Sequence, residues 1–417
     1  MPTTGRQPAI GFIFVTVVLA VLGFGLLIPV LPELVKQFKA GNVTEGSHSY
    51  GVLVSVYALM QFFGAPILGS LSDRFGRRKV ILIALAGSAL DFAAMALAPS
   101  LTLLFVARMI GGVTAGIIST ANAYVADVTP PEKRAQGFGL MGAAFGLGFI
   151  IGPLFGGILG SIDLRLPFWA AAGCAALNWL YGCLVLPESL ALENRRDFSW
   201  KRANPIGAIL ALKRFPAVLG LAESYFILTL AQMMLFSIWA LYTGHRYGWD
   251  PQHVGLSLTL VGVISAVVQA VLAKRIIGRL GDTRGVILGL VLSAVAQTLY
   301  GLATESWMIY TIILLGSFAG IAGPAMQSYI TKHVPPNEQG AVQGVYSGLA
   351  SLAGIPGPLI ATWAFGWSVR DGQPAWLAGL PFFMAATLVL FALVLATRSF
   401  AKHATPAATA ATSTPSA

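Results

Sequence analysis

The sequence predicts an all-α integral membrane protein, with twelve transmembrane helices arranged as two pseudo-symmetric six-helix halves. Three observations lead there. The 417 residues are 56% apolar and only 10% charged, and their mean hydropathy is +0.77, a balance found in polytopic membrane chains rather than soluble domains. Apolar segments of about 20 residues, enough to cross a hydrocarbon core of roughly 30 Å, recur along the whole chain. The second half of the sequence also repeats the first.

In chain order these segments begin near residues 9, 50, 80, 101, 136 and 166, then near 216, 253, 285, 307, 341 and 375. The first run, from about Ala9 to Pro32, is longer than the apolar core of a secretory signal and has no small-residue cleavage site, so it reads as a retained span. Between the two sets lies the longest polar stretch, Pro187 to Arg214, with Glu188, Glu193, Arg195, Arg196, Asp197, Lys201 and Arg202. The expected organisation is a first bundle over 1–187, a linker over 188–214, a second bundle over 215–398 and a tail over 399–417. From Ala404 the tail is Ala, Thr, Pro and Ser, a composition that predicts disorder.

A shift of 205 residues superposes the halves: Pro130-Pro131 falls on Pro335-Pro336, Gly139 on Gly344, and Gly152-Pro153 on Gly357-Pro358. The same shift places Arg74, Gly76 and Leu82 on Arg279, Gly281 and Ile287. One offset that fits separate loops indicates parallel repeats about an axis along the membrane normal, a known transporter architecture.

The formal charge of +10 raises the possibility of a nucleic-acid partner, and the placement of the basic residues excludes it. With both termini cytoplasmic, 20 of the 26 Lys and Arg fall in cytoplasmic segments, as the positive-inside rule requires. Lys36, Lys39, Arg165, Arg246 and Arg370 fall in outer loops, and Arg108 lies inside a span. Cys174 and Cys183 sit about 13 Å apart along one helix, on opposite sides, beyond the reach of a disulfide. The five histidines read as loop or helix-end residues. No metal-ligand spacing, nucleotide-binding motif or nucleophile–base pair is present, so neither a cofactor nor an enzyme is expected.

The densest charge lies in Gly69-Ser70-Leu71-Ser72-Asp73-Arg74-Phe75-Gly76-Arg77-Arg78, between two apolar runs. Anchoring alone would need only basic residues. The acid among them points to a gate, with Asp73 pairing with a basic group or helix N-terminus of the other half until the cytoplasmic side opens. Within the spans, Asp91 and Arg108 lie eight or nine residues either side of the turn at Pro99-Ser100, so both sit about 13 Å from that turn on antiparallel neighbours. A mid-membrane carboxylate costs roughly 2.5–3.5 kcal/mol and should face the bundle interior. Two readings stay open: a permanent ion pair joining the helices, or a pair that exchanges a proton.

The loop fits the Gly-x-Leu-x-x-Asp-Arg-Phe-Gly-Arg-Arg motif of the major facilitator superfamily, which the chain resembles over nearly its whole length. The fifth segment, with Gly142, Gly146, Gly148, Gly152-Pro153 and Gly156-Gly157, resembles the antiporter motif of that superfamily's drug exporters. Gly23 to Pro32, Tyr57 to Gln61, Phe145 to Gly148 and Arg246 to Trp249 resemble the tetracycline efflux proteins. The resemblance implies the major facilitator fold in a bacterial inner membrane, a monomer, and proton-coupled export of a tetracycline-type or multidrug substrate.

It also implies roles for individual residues. Arg108 matches a position linked to proton movement, and Asp91 matches the retained third-span acid. Where the family carries other acids or a histidine, this chain has Ala20, Ser293 and Ser265. Glu223 is either an interfacial acid or a replacement proton site. Tyr57, Gln61, Asn122, Gln232, Trp239, Gln269, Gln297 and Gln327 are candidate cavity residues, since amides and aromatics suit a sizeable amphipathic ligand. An importer on the same fold and a transport-dead membrane sensor are the competing expectations.

Overall fold

The computed structural model describes residues 10–200, 204, 216–334 and 339–403. The expectations that rest on Arg6, on the rest of the linker, on Pro335-Pro336 and on the tail beyond His403 lie outside the described residues.

The described chain is all helix and loop, without a strand. Ten of its helices are long and apolar enough to cross a membrane. The apolar helix Ile10–Gly25, extended by Leu31–Gln37, and the helix Leu166–Leu184 complete the twelve spans. In order the others are Val43–Phe75, Arg77–Leu97, Leu101–Val128 and Arg134–Ile162 in the first half. The second half has Pro216–Tyr247, Pro251–Leu280, Asp282–Leu302, Ser306–Ile330, Val345–Ser368 and Leu380–His403.

Local chemistry sets the helix ends. Asn42 accepts a hydrogen bond from the Glu45 backbone N–H at 3.0 Å, and Asp250 accepts one from the His253 backbone N–H at 2.9 Å, satisfying otherwise orphaned donors. The second span therefore begins at Val43, earlier than the apolar run near residue 50 predicts. His48 consequently lies within a helix. At the other end this span stops at Gly76, whose φ of +99° suits glycine; the repeat counterpart, Gly281, has φ +81°. Some spans are interrupted: the first breaks after Gly25, the fourth at Ala115–Gly116, and the eighth contains a π-helical turn, Val268–Ala273.

The fifth span is held between the first and the eighth. Gly148, Gly152 and Gly156 press on the backbone of the first span at Val18 and Leu22, Gly25, and Leu26, while Gly157 and Pro153 press on Pro251 and Gly255 of the eighth. Small residues permit this approach. The second span meets the eleventh in the matching way: Ser55 Oγ donates to the Ile355 carbonyl at 2.7 Å and Thr44 Oγ1 to that of Gly366 at 3.0 Å.

Arg74, Arg77, Arg78, Lys133, Arg279 and Lys332 gather at one end of the bundle, the basic end. The contacts that join the halves lie toward the opposite end, down to Ala58 against Gly354 and Ile150 against Gly262. Nearer the basic end, a side chain added at Gly139, Gly142 or Gly146 would meet nothing within 4 Å. Among the described residues, the bundle is thus closed at one end and parted at the other.

Candidate functional site

The third and fourth spans bring Asp91 and Arg108 together. Arg108 Nη2 donates to Asp91 Oδ2, and each side chain is at most 3% exposed. Rotation of the helices therefore does not separate them. The second span contributes the Tyr57 ring 4.7 Å from the guanidinium carbon, and Phe92 lies 5.7 Å from it on another side. Such cation–π contacts are worth about 2 kcal/mol when desolvated. Gly111 faces the carboxylate so closely that a Cβ there would overlap it. Asp91 Oδ1 and Arg108 Nε have no hydrogen-bond partner. The pair is tight but not saturated, and a proton added to Asp91 would cancel its charge.

At the basic end, Arg77 organises the loop. Its Nη1 donates to Asp73 Oδ1 and to Ser72 Oγ, both at 2.6 Å, and its Nε donates to Asp127 Oδ2 at 3.0 Å. Asp73 is thus paired inside its own half. Arg78 turns the other way and donates to the carbonyls of Cys183 at 2.5 Å and Gly182 at 3.4 Å. Arg74 lies 5.3 Å from the Phe75 ring centroid. A Cβ at Gly69 would make ordinary contact with Ser119 Oγ at 3.7 Å, whereas one at Gly76 would overlap the Glu188 carboxylate.

Sequence reasoning missed two partners here. Glu188 reads as linker, yet its carboxylate accepts from the backbone N–H groups of Arg77 at 2.8 Å and Arg78 at 3.3 Å. It is the N-terminal cap that Gly76 cannot supply. Asp127 accepts from Arg77 and from Ser189 Oγ at 3.0 Å. The linker also binds the loop through its backbone, with Arg196 N–H donating to the Asp73 carbonyl at 3.0 Å.

The candidate cavity residues separate by exposure. Asn122, Gln232, Gln269 and Gln327 are exposed, Tyr57 and Gln61 half-buried. Asn122 and Gln327 are counterparts under the repeat. Gln297 and Trp239 are each 3% exposed, and the Trp239 indole N–H donates to Ser257 Oγ at 2.9 Å, which places it within the packing of the second half. An aromatic bridge crosses between the halves, with the Phe149 and Phe236 rings 6.0 Å apart and Phe145 stacked 6.3 Å beyond Phe149. Glu223 is exposed on the seventh span. Ala20 and Ser265 are half-buried and Ser293 buried, without acids in those places.

Two six-helix halves closed at one end, with a buried ion pair in the first, define a membrane transporter of small molecules. The sequence matches the Major Facilitator Superfamily over residues 13–223 and again over 221–416, and the chain belongs to that family. It is 39% identical to the tetracycline resistance protein, class C, of Escherichia coli over 371 residues, 88% of this chain and 93% of that one. It is 30% identical to multidrug resistance protein 2 of Bacillus subtilis (strain 168), over 82% of this chain and 84% of that one. Among solved structures it is similar to the human organic anion transporter MFSD10, with 28% identity, a TM-score of 0.71, and 94% and 100% of the two chains covered.

Proposed function

We propose that this chain exports a drug-like organic compound across the bacterial inner membrane in exchange for protons, by alternating access between its halves. The observation that carries the reading is the buried Asp91–Arg108 pair, in a chain whose curated relatives are drug-resistance proteins matched over most of their length. The basic end is cytoplasmic on this reading, with both termini on that side, and the bundles occupy 1–187 and 215–398 with the linker and tail between and after them. The structure is then the state open to the cytoplasm, ready to load substrate.

Asp91 accepts a proton on the outward-facing side of the cycle and loses its hold on Arg108. The charge balance between the third and fourth spans changes, and the halves rock. Closure at the cytoplasmic end moves Asp73 toward the second half. The glycine stripe of the fifth span is the pivot, because the first and eighth spans both slide against it. The protein works as a monomer and carries out no covalent chemistry.

A second reading concerns the substrate. Ala20, Ser265 and Ser293 remove two acids and a histidine from the tetracycline pattern, and the human relative of similar fold is an organic anion transporter. A cavity with these acids removed suits an anionic or neutral aromatic compound over a metal-chelated one.

The test follows a panel of tetracyclines, organic anions and unrelated hydrophobic drugs in everted membrane vesicles carrying an acid-inside gradient. The expected result is gradient dissipation on adding a substrate, lost in Asp91→Asn. An unchanged response in that variant would remove Asp91 from the proton path.

A further inference from the structure

One face of the second span closes the end opposite the basic loops. Thr44, His48, Gly51 and Ser55 follow the 4-3-4 spacing that puts residues on one side of a helix. Each meets the eleventh span: Thr44 bonds to Gly366, Gly51 packs on Thr362, and Ser55 bonds to Ile355. His48 stacks on Trp363, ring centroids 6.3 Å apart and planes inclined by 20°. Its Nε2 points at Gly366, 2.7 Å from where a Cβ would stand. That nitrogen is buried and has no hydrogen-bond partner. It is the titratable member of a stripe whose other polar side chains are satisfied.

Charged groups flank the seam. On its own helix, Glu45 lies 3.6 Å from Lys39. On the neighbouring first-span extension, Glu33 is paired with Lys36 at 2.7 Å, and Lys36 packs against Gly46. The eleventh span from Pro356 to Ser368 carries no charged residue, and Arg370 and Asp371 follow it. From the seventh span come His245, whose ring meets Phe365 at 5.9 Å, and Arg246. An imidazolium in the closed seam would face Trp363 and Gly366 without a free carboxylate. Parting the two helices returns it to water.

We infer that His48 is a second proton site, a latch at the outer gate whose protonation favours separation of the second and eleventh spans. Histidine is the side chain that ordinarily changes charge between pH 5 and 8. A proton from the acidic outer side opens the gate and its loss lets the seam re-form, which links proton arrival to release of substrate outward. On this inference falling pH raises the open population, by at most about tenfold per pH unit for one proton. The inference rests on the proton-antiport reading, but its test needs neither substrate nor gradient.

Cys174 and Cys183 are replaced by alanine and Asp91 by asparagine, so that Asp91 cannot titrate. Spin labels at Thr102→Cys and Thr304→Cys, at the outer ends of the two halves, report their separation in lipid nanodiscs at pH 8 and pH 5.5. The expected result is a several-fold rise in the long-distance population at pH 5.5, absent in His48→Gln. A His48→Gln protein that does not reproduce the parent distances at pH 8 is replaced by His48→Phe, which keeps the stack on Trp363. No pH response with His48 present, or an equal response in both backgrounds, overturns the latch. A clear response together with failure of the native protein to dissipate a proton gradient overturns the antiport reading and leaves the latch standing.

Discussion

Asp282 and Lys332 form an ion pair at 2.5 Å, and the 205-residue repeat places them on Arg77 and Asp127, which are paired at 3.0 Å with the charges interchanged. The two halves keep the bridge but exchange its ends. Burial differs accordingly. In the first half the cation is the buried member, Arg77 at 9% exposed. In the second the anion is, with Asp282 at 9% and Lys332 at 64%.

The asymmetry predicts unequal consequences. Arg77→Ala removes three charge-assisted bonds, to Asp73, Asp127 and Ser72, and leaves two partly exposed acids without their shared cation, a loss of about 1.5–3 kcal/mol. Lys332→Ala removes one charge-assisted bond and leaves Asp282, 9% exposed, without that partner. Initial transport rates at matched protein levels are expected to fall further for Arg77→Ala, which loses three bonds, than for Lys332→Ala, which loses one.

Glu188 is expected to act as a cap rather than a charge. Glu188→Ala deprives the Arg77 and Arg78 N–H groups of their acceptor, a loss of about 1 kcal/mol, and should lower the apparent unfolding temperature in detergent. Glu188→Gln keeps an acceptor oxygen and should recover at least half of that shift, as scanning fluorimetry would show.

For the membrane-embedded pair, the prediction is a double-mutant cycle. Arg108→Gln alone buries an unpaired carboxylate, and Asp91→Asn alone buries an unpaired guanidinium. The combined variant buries neither charge. Folded yield in the membrane should therefore be higher for the double variant than for Arg108→Gln, while proton-coupled transport is lost in both.

Gly51→Ala should prevent closure of the outer seam, because its Cβ would collide with Thr362 Oγ1. In a background lacking Cys174 and Cys183, a cysteine at Ser49 should then react with an impermeant thiol reagent several times faster from outside. Adding Thr362→Ala removes the colliding oxygen and should reverse part of the effect.

The sequence carries the span count, the doubling and the depth of Asp91 and Arg108, because a charge inside an apolar run is visible without coordinates. Their pairing depends on helix rotation, which hydropathy does not encode. Glu188 reads as linker and Asp127 carries no local signal, since their partners lie in other elements. The lone available signal was the repeat itself, which sets Asp127 on Lys332. His48 was hidden by composition: Thr44, Glu45, Ser47, His48 and Ser49 read as loop, and only the Asn42 cap extends the second span through them. Likewise, Trp239 reads as a cavity aromatic, and its bond to Ser257 on the next span is invisible to composition.

The central claim is that a proton gradient drives substrate across this protein through Asp91. The most direct measurement uses purified protein in liposomes with an acid interior, following accumulation of a labelled substrate identified in the vesicle panel. The account predicts uptake above the outside concentration that collapses when a protonophore is added, and downhill movement only in Asp91→Asn. Accumulation that survives the protonophore, or that Asp91→Asn leaves intact, would contradict it.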